Sequence, residues 1–295
     1  MQFKGTGVAL VTPFNTNGSI DESGLRKLVN YQIDNGTDFL VVQGTTGETA
    51  TLTTDEKERV LAIVIEENKR RVPVVLGLAD NNTAALVKVI STFDNDGVDG
   101  FLSASPHYNK PSQRGIIAHF EAIAKVSKKP IILYNVPGRT SSNMTAETTL
   151  ALSKVENIVG VKEASGNMDQ VMQILKNAPQ DFAVLSGEDA LAMPIAAMGG
   201  HGVISVVANA LPKEFSSMMN ATFEGDLAKA KKHHFEMLDI THQFFAEGNP
   251  SGIKCCLDLL NICSDTVRLP LTTVTSNLRR QMEKELEGIE LISKQ

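Results

Sequence analysis

Short apolar segments rich in β-branched residues alternate with longer segments of helical periodicity along most of the chain. A short apolar run bounded by Gly, Pro or Asn is typical of a buried strand, whereas apolar residues three and four positions apart indicate an amphipathic helix. Eight segments have the strand pattern: 6–13, 38–44, 73–79, 99–105, 130–136, 157–163, 182–187 and 201–206. Seven of them are followed by a helical segment before the next strand, and the eighth by a helical segment at 212–225.

Most of the strand segments are apolar on both faces, which indicates a parallel sheet that is buried on both sides. Eight βα repeats favour a closed (β/α)8 barrel, or TIM barrel, over an open doubly wound sheet, which usually has fewer strands and a topological switch point. We expect the helix at 54–70 to have Thr54 as its N-cap, because Asp55 and Glu56 then lie at the positive end of the helix dipole.

The strand pattern stops well before the C-terminus. Three further helical segments follow, at 226–245, 253–263 and 276–292. Because a minimal barrel does not need them, we predict a catalytic barrel over 1–225 and a C-terminal helical subdomain, a three-helix extension, over 226–295.

Charge and composition exclude several partners. The chain has 28 Lys and Arg against 34 Asp and Glu, a net charge of −6, which is not the footprint of a protein that binds nucleic acid or anionic membranes. No segment has the roughly 18 apolar residues of a membrane span, and the N-terminus lacks a signal-peptide pattern. The chain has three cysteines, an odd number, and Cys255, Cys256 and Cys263 all lie in an apolar helical segment, so we expect buried free thiols and a cytoplasmic location.

Catalytic residues of a (β/α)8 barrel lie at the carboxyl ends of the strands, around a single opening. Lys162 terminates the apolar run 158–161, which is otherwise suited to full burial. Burial disfavours the charged ammonium, and a neutral amine can attack a ketone to form an imine. The alternatives are a lysine that extends along the rim to solvent and a lysine paired with Glu163.

Three other features are expected at the same opening. Tyr134 has a phenol suited to proton transfer, with packing as the alternative. The segment GTTGE at 44–48 has glycines that allow a tight turn and N–H groups that hold a small carboxylate, although an ordinary turn has the same residues. Arg139 suits the carboxylate of an acidic second substrate, unless it is simply a surface arginine.

No metal site is predicted. His233, His234 and His242 lie on a helical segment without the HExxH spacing or a nearby ligand cluster. The segment 44–48 also lacks the GxxxxGK[ST] pattern of a nucleotide phosphate loop. We therefore expect chemistry that needs no metal and no cofactor.

Several motifs together resemble the dihydrodipicolinate synthase family, in the superfamily that includes N-acetylneuraminate lyase. The main ones are GTTGE at 44–48, YNKP at 108–111, YNVPGRT at 134–140 and GVKEASG at 160–166. The likeness covers nearly the whole chain and includes LSGED at 185–189 and GGHGVIS at 199–205. Each motif alone is weak evidence, but several in the same order at matching intervals are specific.

The resemblance implies a role for each site residue. Lys162 is expected to form an imine with pyruvate, with Tyr134 as proton donor and acceptor. Thr45, and Tyr108 from a neighbouring subunit, are expected to complete the proton relay. Thr46 and Ile204 are expected to bind pyruvate. Arg139 is expected to bind the carboxylate of aspartate 4-semialdehyde. The product, 4-hydroxy-tetrahydrodipicolinate, feeds diaminopimelate and lysine synthesis. Family members need no cofactor and are commonly homotetramers, built as dimers of dimers.

Three other functions stay open on the sequence alone. N-acetylneuraminate lyase is similar in fold, imine lysine, tyrosine and threonine–glycine turn, but a neutral sugar does not call for Arg139, which favours the synthase. A 2-keto-3-deoxy sugar acid aldolase is the second. The third is a catalytically silent barrel that only binds a ligand, and the presence of Lys162, Tyr134, Thr45 and Tyr108 together argues against it.

One pocket departs from the family pattern. Where lysine-inhibited members have a glutamate this chain has Ala85, and where they have histidines it has Thr54 and Lys57. His107 occupies a tyrosine position, whereas Asn81 matches. The ammonium of a bound lysine would lose its counter-charge and face a repelling cation, so we expect weak or absent feedback by lysine.

Overall fold

The structure, a computed structural model, describes residues 2–289 and 291. Its eight strands are β1 Gly5–Ala9, β2 Phe39–Val42, β3 Val74–Gly77, β4 Gly100–Ala104, β5 Ile131–Asn135, β6 Ile158–Glu163, β7 Ala183–Ser186 and β8 Gly202–Ser205. Neighbouring strands are parallel, and β8 pairs with β1, so the sheet closes into a barrel in chain order. Each strand overlaps the segment that the apolar pattern predicts.

Helices cover the outside of this barrel. Those between or after the strands are α1 Glu22–Asp34, α2 Thr54–Asn68, α3 Thr83–Thr92, α4 Gln113–Val126, α5 Pro137–Thr140, α6 Ala146–Leu152, α7 Met168–Asn177, α8 Ala192–Ala197 and α9 Pro212–Phe223. The C-terminal helices are α10 Leu227–Ala246, α11 Ser251–Leu259 and α12 Ser276–Gly288. The predicted (β/α)8 barrel with a C-terminal helical subdomain is confirmed. The division between 1–225 and 226–295 stays a prediction, and residues 290 and 292 of the last predicted helix lie outside the described residues.

Side chains alternate between two apolar cores along each strand. One core fills the barrel interior and contains Ile132 and Tyr134 of β5 and Leu185 of β7. The other lies between strands and helices and contains Val161 of β6. Because Val161 faces outward, the alternation turns Lys162 toward the barrel interior.

The N-cap of α2 differs from the prediction by one residue. Thr53, not Thr54, is the cap: its hydroxyl accepts a hydrogen bond from the backbone N–H of Glu56, and the Glu56 carboxylate accepts one from the backbone N–H of Thr53. This capping box requires the acidic residue three positions after the cap, which Glu56 satisfies for Thr53. Thr54 is the first residue inside the helix.

The three cysteines are buried and free, as expected. Burial raises the pKa of Cys255 to about 11 and that of Cys263 to about 12, so both stay protonated and unreactive at neutral pH. Within the described part of the chain, no helix has the length and apolar character needed to cross a bilayer.

Candidate active site

Lys162 and Tyr134 lie side by side at the carboxyl end of the barrel. They are register partners in the pairing of β5 with β6, and the next partner, on β7, is Leu185. The Lys162 Nζ lies 4.5 Å from the centroid of the Tyr134 ring. Only 5% of Lys162 and 8% of Tyr134 is exposed. An amine therefore occupies a layer of the interior that apolar side chains usually fill in this fold.

The structure does not support the two alternatives for Lys162. Burial excludes a side chain that extends into bulk solvent. Glu163 points to the other side of the strand, where its carboxylate accepts hydrogen bonds from Asn135 Nδ2 at 3.0 and 3.2 Å, Gln170 Nε2 at 3.0 Å and the N–H of Ser165 at 2.7 Å. Neutral donors satisfy Glu163, so it does not hold the Lys162 ammonium.

Lys162 lines a cavity of about 330 Å³. The residues around it come from the ends of several strands and from the C-terminal helices, namely Ala9, Gly44, Thr45, Thr46, Leu102, Tyr134, Val136, Gly138, Arg139, Lys162, Ala164, Gly187, Glu188, Val206, Phe245 and Asn249. A second cavity of about 570 Å³ shares part of this wall and extends past Lys57 and His107. Together they provide room for small substrates next to the lysine.

The turn after β2 contributes two hydroxyl groups. Thr45 is exposed and lines the cavity, whereas Thr46 is buried. Asn249 Nδ2 donates a hydrogen bond of 3.1 Å to the Thr46 hydroxyl oxygen. Because that oxygen already accepts a bond, its own hydrogen is free to be donated to a ligand.

Charged groups frame the opening. Arg139 lies on α5, is exposed and lines the cavity. Burial raises the pKa of Glu188, and the neighbouring Asp189 raises it further, while Lys162 and Arg139 oppose the shift. Burial also raises the pKa of Asp189, which accepts a hydrogen bond of 2.5 Å from the Ser205 hydroxyl. Burial thus biases the carboxyl groups of Glu188 and Asp189 toward the neutral form.

Two expected residues lie outside the cavity wall. Ile204 on β8 is fully buried in the interior core together with Tyr134, and Val206 lines the cavity in its place. Tyr108 is 87% exposed with a left-handed φ of 68° and lies on the surface of the single chain. The other five, Lys162, Tyr134, Thr45, Thr46 and Arg139, surround one cavity.

Sequence reasoning missed Asn249 and the closeness of Gly187 to the lysine. Asn249 lies in the loop between α10 and α11, in a segment assigned to the helical extension. Nothing in the local pattern around it indicates a position at the barrel opening. Gly187 falls in a motif of the family resemblance, but only the packing shows that a Cβ atom there would be 3.1 Å from Lys162 Cε.

Among the described residues, no group of three or more His, Cys, Asp or Glu side chains is arranged to hold a metal ion. The arrangement instead centres on one buried amine, a phenol and hydroxyl groups at the carboxyl end of a (β/α)8 barrel. These features define a lyase of the class I aldolase type.

Comparison with known proteins agrees with this class. The dihydrodipicolinate synthetase family model matches residues 2–289, and the chain belongs to this family. It is 45% identical over 291 residues to the 4-hydroxy-tetrahydrodipicolinate synthase of Phocaeicola vulgatus, with 98% of each chain covered.

Solved structures give the same result. The dihydrodipicolinate synthase of Thermotoga maritima superposes with a TM-score of 0.96 at 34% identity, covering 99% of this chain and 100% of that one. The enzyme of Cyanidioschyzon merolae, solved with lysine bound, superposes with a TM-score of 0.94 at 37% identity, covering 98% and 99%.

Proposed function

We propose that the chain condenses pyruvate with L-aspartate 4-semialdehyde to form 4-hydroxy-tetrahydrodipicolinate, the step that leads to diaminopimelate and lysine. The observation that carries the proposal is the Lys162 amine, buried at the cavity and 4.5 Å from the Tyr134 ring centroid. The name shared by its relatives supports the choice of substrates. An amine, a relay of hydroxyl groups and two sites for carboxylates suffice for this reaction, so no cofactor is expected.

The first half of the reaction is formation of an imine. The Lys162 Nζ attacks the keto carbon of pyruvate, and loss of water from the resulting carbinolamine leaves the imine. Tyr134, beside the amine, is suited to protonate the departing hydroxyl group. The Thr46 hydroxyl donates to the pyruvate carboxylate, since its oxygen is already occupied by Asn249. The pyruvate contact that the family resemblance implies for Ile204 stays a prediction, because Ile204 is buried in the interior core behind the cavity wall.

The second half forms the ring. The imine loses a proton to become an enamine, whose carbon attacks the aldehyde of the semialdehyde. The amino group of the semialdehyde then attacks the imine carbon, closes the ring and releases the Lys162 amine unchanged. Arg139, exposed at the opening, is placed to bind the carboxylate of this second substrate.

We further propose that the working unit is a homotetramer, a dimer of dimers, in the cytoplasm. Thr45 lines the cavity, and the family resemblance assigns Tyr108 of a neighbouring subunit to the same proton relay. The side chain of Tyr108 is almost fully exposed in the single chain, which leaves it available to enter the cavity of a neighbouring subunit.

Reductive trapping tests the proposal. Treatment with pyruvate and borohydride is expected to add one reduced pyruvate to Lys162, detected by peptide mass spectrometry. Lys162→Ala is expected to gain no mass. Lys254 is an internal control, since it is equally buried but paired with Glu48 at 2.5 Å, and it is expected to stay unmodified. A wild-type chain that gains no mass would identify a silent barrel.

The substrates are tested separately. Trapping alone does not distinguish the synthase from N-acetylneuraminate lyase, because both enzymes form the imine. Turnover with aspartate 4-semialdehyde but not with N-acetylmannosamine is the expected result, because Arg139 favours an acidic partner. The reverse preference would contradict the assignment.

A further inference from the structure

Glu48 has a backbone conformation that its residue type does not favour. It lies between two short 3₁₀ turns, Thr45–Gly47 and Thr49–Thr51, with φ 53° and ψ 33°. Left-handed backbone is disfavoured for residues with a Cβ atom and is usually occupied by Gly or Asn. Its side chain is also fully buried. A buried glutamate in this conformation indicates that specific contacts of its carboxylate hold it in place.

The C-terminal subdomain supplies those contacts. Lys254 on α11 donates to Glu48 Oε1 at 2.5 Å, and the backbone N–H of Arg268 donates to Glu48 Oε2 at 3.0 Å. The Lys254 ammonium also donates to the Thr266 carbonyl at 2.8 Å and lies 4.1 Å from the centroid of the Phe14 ring. Burial lowers the pKa of Lys254, and the Glu48 carboxylate opposes that shift.

The ion pair is linked directly to the turn that faces the substrate cavity. The N–H of Glu48 donates to the Thr45 carbonyl at 3.1 Å. Asn249, which bonds the Thr46 hydroxyl at 3.1 Å, precedes α11, the helix that carries Lys254. One segment of the C-terminal subdomain, 249–254, therefore holds the turn at two points, one through Thr46 and one through Glu48.

We propose that Glu48 and Lys254 are positioning residues that orient the Thr45–Thr46 turn toward the carboxylate of the keto acid, and that they thereby set the preference of the enzyme for charged 2-keto acids over neutral ketones. This inference rests on the proposed function, because it assumes that pyruvate is the molecule held by the turn. Neither residue lines the cavity of about 330 Å³ at Lys162, although Glu48 lines the adjoining cavity of about 570 Å³.

Three variants separate positioning from stability. Lys254→Met keeps an unbranched side chain of similar length but leaves the Glu48 carboxylate buried with one partner fewer, so the thermal midpoint is expected to fall. The double variant Glu48→Gln with Lys254→Met removes the unpaired charge, and its midpoint is expected to recover. Met282→Ala, at a fully buried position of α12, is a destabilised control outside the ion pair and the turn.

The measurement is the half-saturating concentration of pyruvate in borohydride trapping, compared with that of methyl pyruvate, which lacks the negative charge. For both Lys254→Met and the double variant, we expect the half-saturating concentration of pyruvate to rise about tenfold or more. The reason is that the donor on the turn moves out of place and its charge-assisted hydrogen bond to the pyruvate carboxylate is lost. The methyl pyruvate value is expected to change little, so the preference for the acid decreases. Met282→Ala is expected to keep the wild-type preference.

The outcomes are distinct. If the double variant recovers both its thermal midpoint and the wild-type preference for pyruvate, the pair has only a structural role and the inference is wrong. The same conclusion follows if Lys254→Met folds and binds pyruvate as the wild type does. Failure of the wild type to trap pyruvate would instead overturn the proposed function.

Discussion

Replacing Gly187 by alanine adds one methyl group directly against the catalytic lysine. Gly187 follows β7 and lines the cavity. Its φ is not in the left-handed region, so alanine can adopt the backbone conformation and the change acts through space alone. A Cβ atom at this position would lie 2.5 Å from Ala164 Cβ and 3.1 Å from Lys162 Cε.

The structure sets the size of the effect. Relief of the contact with Ala164 to an ordinary 3.4 Å requires a movement of about 0.9 Å. Ala164 has no flexible side chain, so the backbone of Gly187 or of Ala164 must move, and the separate 3.1 Å contact pushes on the Lys162 side chain. Overpacking of this kind costs about 1–3 kcal/mol of stability. A displacement of about 1 Å at a reacting group lowers the rate about 100-fold.

The assay is kcat/KM for condensation of pyruvate with the semialdehyde, measured together with the thermal midpoint. Gly187→Ala is expected to lose about 100-fold in kcat/KM while staying folded at the assay temperature. Gly115→Ala on α4 is the matched control, since its Cβ atom would meet Pro111 at an ordinary 3.4 Å, and we expect it to keep wild-type activity. If Gly187→Ala keeps wild-type activity, the tight packing around Lys162 does not control its position.

Two further predictions concern stability and regulation. Arg268 holds the pKa of Glu56 down to about 2, so this ion pair stabilises the fold above pH 4.5 and the contribution is lost as pH falls toward 2. Glu56→Gln keeps the capping box and is expected to lower the free energy of unfolding by about 1–2 kcal/mol at pH 7, after allowance for solvent screening. The difference in thermal midpoint between wild type and variant is expected to become smaller at pH 3. An equal difference at both pH values would contradict this. Inhibition by lysine is expected to be weak or absent, because Ala85 provides no counter-charge and Lys57 repels the ammonium; an inhibition constant in the submillimolar range would disprove it.

The local pattern was sufficient for the elements of the fold. Runs such as 73–79 are apolar on both faces, and this property alone predicts buried parallel strands. Helix ends were less certain, because Thr53 and Thr54 are both good caps and only the position of Glu56 distinguishes them. Local chemistry of this kind depends on a few neighbouring residues.

The candidate site was predictable to the extent that the fold itself assembles it. Once eight parallel strands are established, residues at their carboxyl ends must meet, and Lys162, Tyr134 and Arg139 follow from that rule. Asn249 did not follow, because it reaches the Thr46 hydroxyl from a loop about two hundred residues away in the chain. No local periodicity encodes such a contact.

Residue periodicity and the chirality of βα units were enough to predict the order of strands and helices, the closed barrel and a lysine at the end of β6. The folded chain was needed to show that Glu163 bonds Asn135 and Gln170 and forms no ion pair with the Lys162 amine. It was also needed to show that Lys254 binds the buried Glu48 carboxylate. The physical reason is that burial and pairing of charges depend on which distant segments pack together, and the desolvation that controls them exists only once the chain has folded.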